Sequence, residues 1–328
     1  MQEMMMIKIG ILDDWQDVAC RSADWSPLAF RADLTFFADA FDTEDDAAAA
    51  LADFDILLTM RERTAFPETL LRRLPKLRML GITGAYVATL DLEACSHQGI
   101  VVCNTAGGGP GAPFATAELA LGLLIAAARG IPAADATVRA GGFQRGVPVG
   151  LSLAGKTLGI VGLGRLGGRM ARYAAALDMK VIAWSPNLTE ARAQNGGARL
   201  VGKSDLMAES DAISLHMVLS PRSRGIIGAE DLGRMKKGAI LINTSRGPLI
   251  DEGALVAAVR AGKIIAALDV YDKEPLPQDH PLRASRNTVL TPHLGYGVEE
   301  TWRDFYPRSI ENALAFLDGA PIRVLNAS

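Results

Sequence analysis

The run Lys156-Thr-Leu-Gly-Ile-Val-Gly-Leu-Gly-Arg-Leu-Gly-Gly168 constrains the fold of this chain more than any other segment. A short apolar strand leads directly into Gly162-x-Gly164-x-x-Gly167, a helix-forming run follows from Arg169 to Leu177, and a second strand spans Lys180 to Trp184. Strand, glycine turn, helix and strand in that order read as one crossover unit of a parallel sheet. Gly162 permits the tight turn, Gly164 leaves no side chain between backbone and ligand, and Gly167 lets the helix approach the sheet. The unpaired N–H groups of the helix start then suit the pyrophosphate of a dinucleotide, which Arg165 and Leu166 approach through their backbones.

The rest of the chain extends the same alternation. Apolar runs at Ile7 to Leu12, Leu34 to Phe37, Ile56 to Met60, Met79 to Thr83 and Ile100 to Cys103 read as strands, with helices at Thr43 to Ala52, Glu68 to Leu74 and Leu90 to Gln98. A glycine- and proline-rich break at Gly107 to Pro113 reads as a hinge, and an alanine-rich helix follows over Thr116 to Arg129. A second series has strands at Thr157 to Val161, Val181 to Trp184, Arg199 to Val201, Ala212 to His216, Ala239 to Asn243, Ile264 to Leu268 and Thr288 to Leu290. At 328 residues the chain is long enough for two cores. The predicted fold class is therefore α/β, with two doubly wound parallel-sheet domains.

Charge and cysteine usage narrow the function classes. The 34 basic and 37 acidic side chains give a formal net charge of -3 without a like-charge block, so neither nucleic acid nor an anionic membrane is expected as a partner. Cys20, Cys95 and Cys103 lack metal-ligand spacing and read as reduced thiols; no metal site is expected, and the localisation expected is cytoplasmic. The longest apolar stretch, Leu119 to Ala128, is about half of what a bilayer span requires.

Polar residues gather where strands of the second series end, and in open parallel sheets those ends converge on one crevice. Ile242-Asn-Thr-Ser-Arg246 presents a guanidinium fork suited to a carboxylate or a polarised carbonyl. Leu268-Asp269-Val-Tyr-Asp-Lys-Glu274 and Leu290-Thr-Pro-His293 supply a carboxylate and an imidazole, a pairing that orients the ring and makes a tunable acid/base.

These residues, in this order after this glycine turn, resemble the D-2-hydroxyacid dehydrogenase family from about Leu80 onward. The resemblance implies a Rossmann nucleotide domain, residues 107–294, inserted into a flavodoxin-like substrate domain made of 1–106 and 295–328, with the active site where they meet. Arg246, Glu274 and His293 match the family's catalytic trio. Thr244, Asp269 and Thr116 match the nicotinamide end, and His216 a position that lines the cofactor. The loop Thr83-Gly84-Ala85-Tyr86 matches the cradle of the substrate carboxylate. Arg61 and Arg63 either add charge there or face solvent, and Tyr86, Tyr296 and Trp302 either shape the pocket or serve the core. A homodimer formed through the alanine-rich helix is implied by resemblance alone.

The implied activity is reversible hydride transfer between NAD(P)H and a small 2-keto or D-2-hydroxy acid. Formate dehydrogenases share the architecture but carry Gln where Glu274 stands here. A nucleotide-sensing binding protein on the same fold is the alternative from another class. The choice between NAD and NADP stays open. Ser185 stands where an acid normally receives the ribose hydroxyls, Asn187 follows, and the sequence supplies no basic residue until Arg192.

Overall fold

The computed structural model describes residues 6–85, 87, 89–106 and 112–326. The chain divides into two compact units, Met1–Pro113 with Val298–Ser328, and Phe114–Gly297. These divisions fall a few residues later than those read from sequence. Residues 295–297 stay with the second unit because Thr116 donates from Oγ1 to the Gly295 carbonyl at 2.8 Å. Residues 107–111 of the hinge, and Tyr86, lie outside the described residues.

The first unit holds β1 (Ile7–Ile11), β2 (Ala32–Phe36), β3 (Ile56–Thr59), β4 (Met79–Ile82) and β5 (Val101–Asn104). They form a parallel sheet in the order β2-β1-β3-β4-β5, the flavodoxin-like arrangement. Helices α1 (Ala19–Ser22), α2 (Ser26–Ala29), α3 (Glu44–Leu51), α4 (Glu68–Leu71) and α5 (Leu92–His97) connect them. Every residue of β3 and β4 is buried, as expected when both faces of a sheet are covered. Thr43 caps α3 by accepting from the Asp46 N–H, and the acids Glu44 to Asp46 complement the helix dipole. The C-terminal helix, Glu299–Leu317, returns to this unit and buries Trp302, Phe305, Tyr306 and Ile310. Trp302 and Tyr306 are thus core residues, with Tyr306 lying edge-on to Trp25 at 5.8 Å.

The second unit holds α6 (Ala115–Arg129), α7 (Ile131–Arg139), β6 (Thr157–Val161), α8 (Arg165–Ala176), β7 (Lys180–Trp184), α9 (Glu190–Asn195), β8 (Arg199–Leu200) and α10 (Lys203–Glu209). It continues with β9 (Ala212–Leu215), α11 (Ala229–Arg234), β10 (Ala239–Asn243), α12 (Glu252–Arg260), β11 (Ile264–Leu268) and β12 (Thr288–Leu290). All seven strands are parallel in the order β12-β11-β10-β9-β6-β7-β8, the Rossmann order. Alternate residues of β10 serve opposite layers: Leu241 joins the core containing Leu255 and Val259, while Ile240 and Ile242 join the core beneath α6 and α8. Fully burying one such side chain contributes about 1.5–3 kcal/mol.

One face of the alanine-rich helix packs inside the second unit. Ala117, Ala120, Leu123, Leu124 and Ala127 of α6 are buried within the unit itself, so that face is already occupied. Exposed apolar side chains follow just afterwards, at Ile131, Val138, Phe143 and Val149. Among the described residues no single helix is long and apolar enough to cross a membrane.

Candidate active site

The order of strands reverses between β6 and β9, and the glycine turn stands at that switch point. Gly162 adopts φ +98°, and a Cβ there would lie 2.6 Å from the His216 carbonyl oxygen at the end of β9. Helix α8 starts at Arg165, and a Cβ on Gly167 would lie 2.2 Å from the Gly162 carbonyl oxygen. At Gly164, by contrast, among the described residues a Cβ would meet no heavy atom within 4 Å beyond its chain neighbours. The turn therefore has one face pressed against protein and one face open, beside the partnerless N–H groups of a helix start.

Adjacent polar atoms fit a dinucleotide. Among the described residues, Thr244 Oγ1 is buried without a hydrogen-bond partner, as is Nδ1 of His216. Nε2 of His216 pairs with Ser214 Oγ at 2.9 Å, and burial pushes its pKa down to about 4, leaving the ring neutral near pH 7. A cavity of about 400 Å³ runs past Gly162, Gly164, Ser185, Asn187 and Met217. Arg192 and Arg222 also line it. Arg222 is a cation that sequence reading did not connect with this pocket, because it arrives from the segment after β9.

The three strand-end groups stand on neighbouring strands. Arg246 follows β10, Glu274 follows β11 and His293 follows β12, three adjacent members of one parallel sheet. At about 4.8 Å per strand, the carboxyl ends of β10 and β12 lie about 10 Å apart. Glu274 and His293 touch: Oε2 lies 2.5 Å from Nδ1, with the side chains 24% and 16% exposed. The other Glu274 oxygen accepts the Tyr271 N–H at 2.9 Å, which fixes the carboxylate. Since the carboxylate holds Nδ1, Nε2 is the ring nitrogen left for another partner.

The Arg246 turn is braced separately. The buried Asn243 side chain donates to the Arg246 carbonyl at 2.8 Å and accepts the Ser245 N–H at 3.0 Å. Arg246 donates from its guanidinium to the Ser245 carbonyl at 2.7 Å. A Cβ on Gly247 would lie 2.1 Å from the Tyr271 carbonyl carbon, so this turn rests on the backbone leading to Glu274. The structure thus joins Glu274 and His293 by direct contact, and associates Arg246 with them through strand order and that backbone approach.

Asp269 organises the imidazole's turn. Its carboxylate accepts from Thr291 Oγ1 at 2.6 Å and from the N–H groups of Leu294 and Gly295 at 2.7 and 2.8 Å. Its own carbonyl accepts the His293 N–H at 2.8 Å, and His293 takes the left-handed conformation with φ +55°. Burial raises the carboxyl above its ordinary range, opposed first by the Thr291 hydroxyl. Thr116, expected at the nicotinamide end, bonds to the Gly295 carbonyl. Tyr296 lies edge-on to the His293 ring at 5.6 Å.

In the first unit, the Thr83 hydroxyl accepts the Arg61 N–H at 2.8 Å, and the Gly84 N–H is held by Thr105. The Arg61 guanidinium lies over Gly84, where a Cβ would come within 1.9 Å of it, and Ala85 accepts from Asn104. Arg63 donates to the Asp13 carbonyl and stacks on Trp15 at 4.4 Å. Neither arginine is a plain solvent-facing charge. Asp13, which sequence reading passed over, is fully buried and accepts from the Thr64 hydroxyl at 2.9 Å, tying β1 to the segment bearing both arginines. Among the described residues no cluster of His, Cys, Asp and Glu has the arrangement of a metal site.

A glycine turn at a Rossmann switch point, beside a sheet edge rich in polar strand ends, defines a dinucleotide-binding α/β protein. The chain belongs to the D-isomer specific 2-hydroxyacid dehydrogenase family, whose NAD-binding domain matches residues 121–295. It is 40% identical over 259 residues to a glyoxylate reductase of Aeropyrum pernix, covering 76% of each chain. It is 38% identical over 267 residues to a D-3-phosphoglycerate dehydrogenase of Archaeoglobus fulgidus, covering 81% of this chain and 50% of that one. The chain spans about half the length of such curated relatives. The crystal structure of a phosphoglycerate oxidoreductase from Vibrio cholerae is similar with a TM-score of 0.89 at 34% identity, covering 96% of this chain and all of that one.

Proposed function

We propose that the protein is an oxidoreductase that interconverts a small 2-keto acid and its D-2-hydroxy acid with a nicotinamide dinucleotide. The observation that carries this reading is the 2.5 Å pair of Glu274 and His293, on strands neighbouring the one that ends in Arg246, in the sheet that bears the glycine turn. Gly162, Gly164, Arg165, Leu166 and Gly167 would hold the pyrophosphate, with Thr244, Asp269 and Thr116 toward the nicotinamide. When bound, that group supplies the hydride, for which no protein side chain has the chemistry.

The side chains supply the proton and the charge. His293 donates from Nε2 to the ketone oxygen in reduction and takes the proton back in oxidation, while Glu274 holds the ring and stabilises its charged form. Arg246 polarises the ketone and grips the neighbouring carboxylate. In the first unit, Thr83, Gly84, Ala85 and Arg61 are the proposed contacts for the acid. The relatives' names, glyoxylate reductase and D-3-phosphoglycerate dehydrogenase, support a 2-keto or 2-hydroxy acid as the substrate class. The same reading makes the enzyme cytoplasmic and a homodimer formed through the alanine-rich helix α6, with the exposed apolar side chains of residues 131–149 beside it extending the contact.

The test is loss of reduced-dinucleotide absorbance with glyoxylate, hydroxypyruvate and pyruvate, and its gain with 3-phosphoglycerate. His293→Ala should lower kcat about 10²- to 10⁴-fold. Glu274→Gln keeps a hydrogen bond but loses the charge, worth about 1.5 kcal/mol or roughly tenfold. Dinucleotide binding without turnover of any of these acids would refute the enzyme and favour the sensor.

A further inference from the structure

Sequence alone leaves the adenosine end of the proposed dinucleotide site undecided, because Ser185 stands where a carboxylate would bind the ribose hydroxyls. The folded chain adds what the linear order hides. Ser185 and Asn187, just beyond β7, line the same cavity as Arg192 from α9 and Arg222 from the segment after β9. Among the described residues no Asp or Glu lines it. Both arginines are exposed, and among the described residues neither is held in an ion pair. The acid nearest Arg192 on its own helix, Glu190, is bonded by Gln194.

We propose that this pocket recognises a 2′-phosphate, so that the cofactor is the phosphorylated dinucleotide, NADPH, in preference to NADH. This rests on the dinucleotide-dependent reading above and narrows it. An unmodified ribose presents hydroxyls that gain most from a carboxylate acceptor, and two guanidinium groups can offer them only ordinary hydrogen bonds without charge pairing. A phosphate monoester carries a charge of about -1.5 to -2 near pH 7 and offers three strong acceptor oxygens. Arginine forks match that geometry, while Ser185 and Asn187 add neutral donors. A carboxylate at position 185 would repel the phosphate, and here that repulsive element is missing.

Calorimetric titration of the full chain with 2′,5′-ADP and with 5′-AMP isolates the contribution of the 2′-phosphate without any turnover. Titration with NADPH and NADH repeats the comparison on whole cofactors. The expected result is at least about a tenfold preference for the phosphorylated member of each pair, the size of one charge-assisted contact, diminishing as salt is raised. The double variant Arg192→Ala/Arg222→Ala should bring both ratios to within about twofold of unity, and Ser185→Asp should reverse them. Equal affinities in the parent, or a preference that survives the double variant, would overturn the assignment. NADH binding more tightly than NADPH refutes this inference alone; failure of both dinucleotides to bind refutes the proposed function with it.

Discussion

Replacing Gly167 by alanine puts the proposed pyrophosphate site under a calculable strain. The new Cβ would stand 2.2 Å from the Gly162 carbonyl oxygen, 3.1 Å from its carbonyl carbon and 3.2 Å from Ile160 Cγ2. Ordinary contact begins near 3.4 Å, so the oxygen and the methyl must separate by 3.4 − 2.2 = 1.2 Å. The obstacle is backbone, which cannot rotate aside as a side-chain tip can, so α8 or the turn itself must move. Overpacking of that kind costs about 1–3 kcal/mol of stability. Displacement of a binding geometry by about 1 Å costs about 10²-fold in function. Gly167→Ala should therefore weaken dinucleotide binding about 10- to 100-fold and lower the melting temperature. Gly168→Ala is the matched control: among the described residues a Cβ there meets no heavy atom within 4 Å outside its own stretch of helix, and alanine gains about 0.8–1 kcal/mol in helix propensity. Fluorescence titration and thermal melts read both variants. Parental affinity in Gly167→Ala, or equal damage in Gly168→Ala, would refute the view that close helix approach shapes the site.

Burial pushes Asp13 up from 3.8 to about 6, so its contribution to stability is complete below about pH 4 and is lost as pH rises through 6. Asp13→Asn should therefore gain stability relative to the parent as pH rises from 4 to 8, by an amount on the order of a few kcal/mol; a difference in urea denaturation that does not vary with pH would refute it. For the homodimer, light scattering should give twice 34.8 kDa, and Phe143→Asp with Val149→Asp should return the monomer; a monomeric parent would refute the proposal.

Local signals in the sequence carried most of the fold. The glycine turn and alternating apolar runs anticipated both doubly wound sheets, because strand period and turn chemistry act over a few residues. Although α4, equally short, was anticipated within Glu68 to Leu74, the short helices α1, α2 and α9 escaped. So did α7, which buries none of its residues and thus shows no core face. At the site, Glu274 and His293 could be paired in advance because both end strands of the second series and match the family's catalytic trio. Long-range placements were not legible: Arg222 reaches the pocket of Ser185 from 37 residues away, and Asp13 meets Thr64 across 51 residues. Asp269 was expected to serve the nicotinamide; its carboxylate also accepts three bonds that hold the His293 turn.

The return of the C-terminal helix to the first unit imposes an order on biosynthesis. Trp302, Phe305, Tyr306 and Ile310, which cover that sheet, leave the ribosome only after residues 114–297 have been made. The nascent N-terminal sheet therefore waits with its apolar side uncovered while an entire second unit emerges and folds. That interval ends only when Leu325 donates its N–H to Val102 and the tail is sewn in beside β5.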